Sequence, residues 1–151
     1  MLLLLTALSS AEAKDLGNRF GVGFNNQLGP IPALSARYGL PTSNPAFNIQ
    51  IEADLGLVTT GDRSELLVGG RALYAVVVED NMNLYAAAGG ALSAVDDVTT
   101  IRIQPGLEIQ AFPFGLENLA LNAGFGLNLD LGSAGGVATA GALLTGAHYW
   151  F

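Results

Sequence analysis

Gly141-Ala-Leu-Leu-Thr-Gly-Ala-His-Tyr-Trp-Phe151 closes the chain, and its alternation reads as a β-strand that stops on an aromatic residue. Leu143, Thr145, Ala147, Tyr149 and Phe151 share one face, which is apolar and finishes in two rings. In water a chain end usually frays, and an oily strand end invites edge pairing. A closed barrel whose outside meets lipid has a use for such a strand.

Upstream, apolar/polar alternation of period 2 recurs until eight segments are counted, each bounded by Gly, Pro, Asn or Asp. Ala46 to Leu57 is the clearest. It sets Phe47, Ile49, Ile51, Ala53, Leu55 and Leu57 against Asn48, Gln50, Glu52, Asp54 and Gly56. Thr99 to Ala111 and Leu119 to Leu129 repeat the pattern, and Arg19 to Gln27 and Ala33 to Leu40 are shorter versions. Glu65 to Val78 is ambiguous because Leu67, Leu73 and Val77 share a face with Gly69 and Arg71, and Met82 to Ala94 is mostly small residues that set register weakly. Strands of about 9–11 residues are long enough to cross hydrocarbon when tilted, and bacterial single-chain barrels have an even strand count. The connections, Leu28 to Pro32, Pro41 to Pro45, Thr59 to Ser64, Glu79 to Asn81, Val95 to Val98, Phe112 to Asn118 and Leu131 to Val137, suit up-and-down neighbours. The expected fold is all-β, an eight-stranded antiparallel up-and-down transmembrane β-barrel.

Composition narrows the function classes. Of 151 residues, 50% are hydrophobic and only 13% charged, and there is no cysteine, which removes disulfide scaffolds and thiolate chemistry. A net charge of −7 with scattered Lys and Arg argues against nucleic acid. The run Met1-Leu-Leu-Leu-Leu-Thr-Ala-Leu8, followed by Ala11-Glu-Ala13, reads as a signal peptide over residues 1–13, with the barrel over 14–151. The run is far short of the roughly 20 residues of a helical span.

Period alone leaves open which face is inside. A membrane barrel turns the oily face out, whereas a soluble lipocalin-like barrel holding a small ligand would turn Ile49, Ile51, Ile101, Ile103 and Phe125 in. The polar faces interleave charged residues with many glycines, which lets long side chains fit in a narrow tube. Lys14, which precedes the first segment, is the single lysine, whereas a water-facing β-surface normally carries several. Both observations favour the membrane order.

The stretch Pro105 to Leu129 and the closing Gly146-Ala-His-Tyr-Trp-Phe151 resemble the small outer-membrane β-barrel domain proteins of Gram-negative bacteria, a likeness that covers residues 14–151 and is loose through Glu65 to Ala94. The resemblance implies a bacterial outer-membrane location, outer-membrane lipid around the barrel, and Tyr149 and Phe151 as the signal read by the barrel assembly machinery. It describes an architecture and not an activity.

On the polar faces Arg37, Arg71 and Arg102 meet Glu52, Asp54 and Glu108, and opposite charges in a poorly hydrated interior are expected to pair. The expected role is a side-chain-filled barrel of structural or membrane-surface binding function, monomeric and not a wide pore, because eight strands leave little room for water. A second reading is a narrow barrel that binds or passes small apolar molecules past Leu67, Leu73 and Val77. Tyr38, Tyr74, Tyr85 and Trp150 are assigned to interfacial belts. His148, the one histidine, is expected among those aromatics with no serine beside it in its strand. Asp96-Asp97 and Gly61-Asp62-Arg63 read as solvated turns. No catalytic residue, metal site or cofactor is assigned, and the chain is not expected to be an enzyme.

Overall fold

The computed structural model describes residues 14–44, 47–61, 63–96, 98–132 and 135–151; the expected signal peptide lies outside them. Eight strands form one closed barrel in which each pairs antiparallel with its sequence neighbours and the last returns to the first. They are β1 (Phe20–Asn25), β2 (Ala33–Gly39), β3 (Ile49–Thr60), β4 (Arg63–Val78), β5 (Met82–Val95), β6 (Val98–Ala111), β7 (Leu119–Leu131) and β8 (Gly136–Trp150). A 3₁₀ turn, Pro113–Gly115, joins β6 to β7. Closure pairs Gly21 with Trp150 and Asn25 with Gly146, so no full-length edge is left open at the seam that carries both termini.

Strand length is uneven. β4 to β8 contain 13 to 16 residues each, whereas β1 and β2 contain only 6 and 7. The sequence pattern extended β1 to Gln27, but Gln27 is turned inward and belongs to the connection. In the other direction β8 begins at Gly136, upstream of the expected Gly141.

The oily faces point out. Ile51, Ile101, Ile103, Leu107 and Phe125 are exposed on the outer surface, and the largest side chains sealed inside include Arg37, His148, Gln50 and Glu108. A soluble calyx requires Ile51, Ile101, Ile103 and Phe125 inside, so the outward placement overturns that arrangement. Two bulges break the alternation. One between Ala75 and Val77 turns Val77 outward, separating it from Leu67 and Leu73. Another, opposite Ala123, turns Thr145 into the barrel, away from the face shared by Ala147 and Tyr149.

Candidate functional site in the barrel lumen

Three polar layers fill the interior between two apolar clusters, one around Trp150 and one around Leu28 and Ile31. At its centre Arg37 from β2, Glu52 from β3, Arg71 from β4 and Glu108 from β6 form a closed ring of alternating charge. Arg37 Nε lies 2.7 Å from Glu52 Oε2 and Arg37 Nη1 2.6 Å from Glu108 Oε1. Arg71 Nη2 reaches both acids, at 2.8 Å to Glu52 and 2.7 Å to Glu108. All four side chains are sealed from solvent. Burying four charges is tolerable because every charge meets two of opposite sign and Glu52 keeps two further donors. Glu52 Oε1 accepts from Ser35 Oγ at 3.0 Å and from Asn25 Nδ2. The wall makes room: a Cβ at Gly89 would stand 2.4 Å from Arg71 Cγ, so only glycine lets that guanidinium cross the lumen.

Towards the end that carries the termini, Gln50 Nε2 donates to Tyr85 Oη at 2.5 Å and to Gln110 Oε1 at 3.2 Å, and Asn83 Nδ2 donates to Tyr85 Oη at 3.1 Å. Tyr85 is therefore corrected from interfacial belt to lumen. Its hydroxyl is the hub of a polar layer, and its ring packs on Leu73 and Ala75. Trp150 is likewise corrected. It is fully buried and stacks with Leu16, Phe112 and Ala120 into a stopper across that end, since period 2 places it opposite outward Tyr149. Tyr38 and Tyr74 do lie on the outer face near the same end, with Tyr74 exposed. There Tyr149 and Phe151 meet edge to face, ring centroids 5.1 Å apart.

Towards the opposite end Arg102 stands apart from the central ring. It forks onto Asp130, Nε to Oδ1 at 2.6 Å and Nη2 to Oδ2 at 2.7 Å, an acid the sequence reading did not single out. Asp54 is also outside the alternation. It is buried with its carboxyl close to Glu52 and to Ser35, which gives the central layer three acids for two bases.

His148 sits in the lumen instead of an aromatic belt, fully buried. Barrel closure brings Ser35 to it from β2, with Nε2 to Oγ at 2.9 Å, a contact invisible within one strand. The hydrogen bonds run against a serine nucleophile activated by His148. The Ser35 proton goes to Glu52, an acceptor only, so His148 Nε2 must donate to Ser35 Oγ while Nδ1 accepts from Asn122 Nδ2 at 2.7 Å. A nucleophilic serine needs the opposite polarity, with histidine taking its proton. Among the described residues no group of three or more His, Cys, Asp or Glu side chains is arranged to hold a metal ion. An open cleft at the end carrying the termini, about 470 Å³, is lined by mixed charges that include Lys14, Asp15, Arg19 and Glu117.

A closed eight-stranded barrel, oily outside and packed with paired charges inside, is the class of protein that this geometry defines. Among solved structures the chain is similar to the backbone structure of the Yersinia pestis outer membrane protein Ail in a phospholipid bilayer nanodisc, with a TM-score of 0.51. The likeness covers 88% of this chain and 97% of that one at 11% identity. No protein-family model and no curated protein sequence matches the chain.

Proposed function

We propose that the chain is a bacterial outer-membrane β-barrel with a plugged lumen and a structural or membrane-surface binding role. The observation that carries this reading is the inverted polarity. An outer belt of Ile, Leu, Val and Phe surrounds a lumen of paired Arg and Glu, an arrangement that costs free energy in water and is favourable in hydrocarbon. The termini then lie on the periplasmic side, where Tyr38, Tyr74, Tyr149 and Phe151 suit the headgroup level. Tyr149 and Phe151 are the pair we assign to recognition by the assembly machinery. The Arg–Glu ring and the Trp150 stopper argue against conduction, and the direction of the Ser35 hydrogen bond argues against an esterase-like activity.

Two measurements on residues 14–151 test it. A barrel of this kind refolded into detergent micelles migrates differently before and after boiling, and acquires β-rich circular dichroism only when detergent is present. In planar lipid bilayers it gives no steady conductance. A folded monomer in plain buffer refutes the membrane reading, and stable open channels refute the plugged lumen.

A further inference from the structure

β1 and β2 are too short to complete the wall. Pairing between β1 and β8 stops at Asn25–Gly146, extended only by Asn26 N donating to Thr145 O at 2.9 Å. Residues 136–142 of β8 therefore pair with β7 alone. On the other flank β2 meets β3 only as far as Leu34–Leu55, which leaves Gly56–Thr60 paired with β4 alone. The cause is in the sequence. Pro30 and Pro32 occupy the positions through which β2 would be extended, and neither has an N–H to give to the β3 edge. The barrel thus has a notch in its wall, away from the termini, and the connection Asn26–Pro32 fills it.

That connection is wall and plug at once. Asn26, Pro30 and Pro32 face outward, whereas Gln27, Leu28 and Ile31 point into the lumen. Leu28 and Ile31 pack on Leu67, Ala91 and Val58, and the wall is hollowed to receive them. A Cβ at Gly56 would touch Ile31 at 3.0 Å, and one at Gly69 would touch Leu28 at 2.9 Å. Three lumen donors end on the plug's oxygens. Arg102 Nη1 reaches Leu28 O at 3.1 Å, Gln104 Nε2 reaches Gln27 O at 2.7 Å, and Arg71 Nη1 reaches Gln27 Oε1. Among the described residues the Asn26–Thr145 bond is the one backbone hydrogen bond from this connection to a flanking strand.

We propose that residues 26–32 form a lateral door over a blind compartment, apolar at Val58, Leu67 and Ala91 and polar at Arg102 and Gln104, and that its ligand is a medium-chain acyl compound entering from the outer leaflet. In the closed state the chain occupies its own site. Two butyl-sized side chains stand where an acyl chain would lie, and carbonyl oxygens stand where its carboxyl or ester oxygen would meet Arg102 and Gln104. The Arg37–Glu52–Arg71–Glu108 ring forms the floor, so the compartment exchanges with lipid and not with the periplasm. The inference rests on the membrane-embedded reading above and adds to it a ligand class and an entry route.

The test is photolabelling in liposomes with a diazirine-bearing decanoic acid, read by mass spectrometry of the labelled peptides. The expected result is label on the luminal peptide carrying Ala91, suppressed by excess unlabelled decanoate, together with label on the outer belt at Leu107 and Ile109. A lock supplies the control. The chain has no cysteine of its own, and a Cβ at Gly29 would lie 3.4 Å from Leu67 Cγ, so Gly29→Cys with Leu67→Cys places two thiols within bridging reach. Oxidation of this double variant should lower the label at Ala91 at least tenfold, leave Leu107 and Ile109 unchanged, and be reversed by reductant. Belt label without label at Ala91 in the wild-type protein overturns the compartment, a result that does not depend on the double variant folding. Label at Ala91 that persists in the locked form overturns the door. Absence of label on the belt overturns membrane insertion itself.

Discussion

Replacing Glu52 with leucine tests whether the charged ring holds the barrel together. The substitution removes the carboxylate paired with Arg37 Nε at 2.7 Å and with Arg71 Nη2 at 2.8 Å, and with it the acceptor of Ser35 Oγ at 3.0 Å and of Asn25 Nδ2. It leaves two sealed guanidiniums facing the single acid Glu108 in the ring. Stripping one partner from a buried pair costs about 3–5 kcal/mol, and each stranded neutral donor adds roughly 1–3 kcal/mol. With Ser35 and Asn25 both stranded and leucine's extra apolar burial returning about 1–2 kcal/mol, the net loss is about 6 kcal/mol. No discount for solvent screening applies, because both arginine side chains are essentially unexposed. The assay is denaturant unfolding in micelles followed by the fluorescence of Trp150, the single tryptophan, which is buried in the lumen. Asp54 stands close enough to take over as acceptor, so Glu52→Leu is repeated in an Asp54→Leu background, where the loss should be at least as large. A loss below about 1 kcal/mol in both backgrounds, with Trp150 still reporting a folded barrel, refutes the idea that this ring supports the lumen.

Other substitutions probe separate links of the argument. Asp54→Asn removes the third acid beside Glu52 and should raise stability by about 1 kcal/mol, seen as a later unfolding midpoint. Gly89→Val places carbon where Arg71 crosses the lumen and should cost at least ~3 kcal/mol or prevent refolding, read by the loss of the fast-migrating unboiled band. Trp150→Ala opens a cavity behind Leu16 and Phe112 and should cost ~3–5 kcal/mol, measured by near-boiling mobility shifts. Ile51→Arg on the outer belt should cost about 2–4 kcal/mol at mid-depth of a bilayer, and a value near zero in liposomes would place that face outside the hydrocarbon.

Much of the barrel was legible in sequence because period 2 is a local property. Ile49 to Leu57 and Ile101 to Ala111 declare an oily and a polar face without reference to any partner, and β3 and β6 follow them. The position of Trp150 was legible on the same rule, since it is the even-numbered neighbour of outward Tyr149. Treating the whole aromatic end as one belt obscured that. Tyr85 was harder to place. It lies in a run of Ala and Gly whose register nothing local fixes, and only pairing with Ala75 and Glu108 turns it inward.

By itself, then, the sequence determined that eight alternating segments would form strands with one oily face, that Arg and acid would share the other, and that no thiol chemistry was available. Those follow from residue type and spacing, which need no knowledge of what lies across the barrel. Only the tertiary structure decided which acid meets which base, because Arg37 reaches Glu108 over 71 positions of chain and the two meet across the lumen of the closed barrel. Closure likewise set Ser35 against His148, 113 positions apart, and gave their hydrogen bond its direction. It also left the notch at β1 and β2, where two prolines end the pairing and the chain turns inward to fill its own wall.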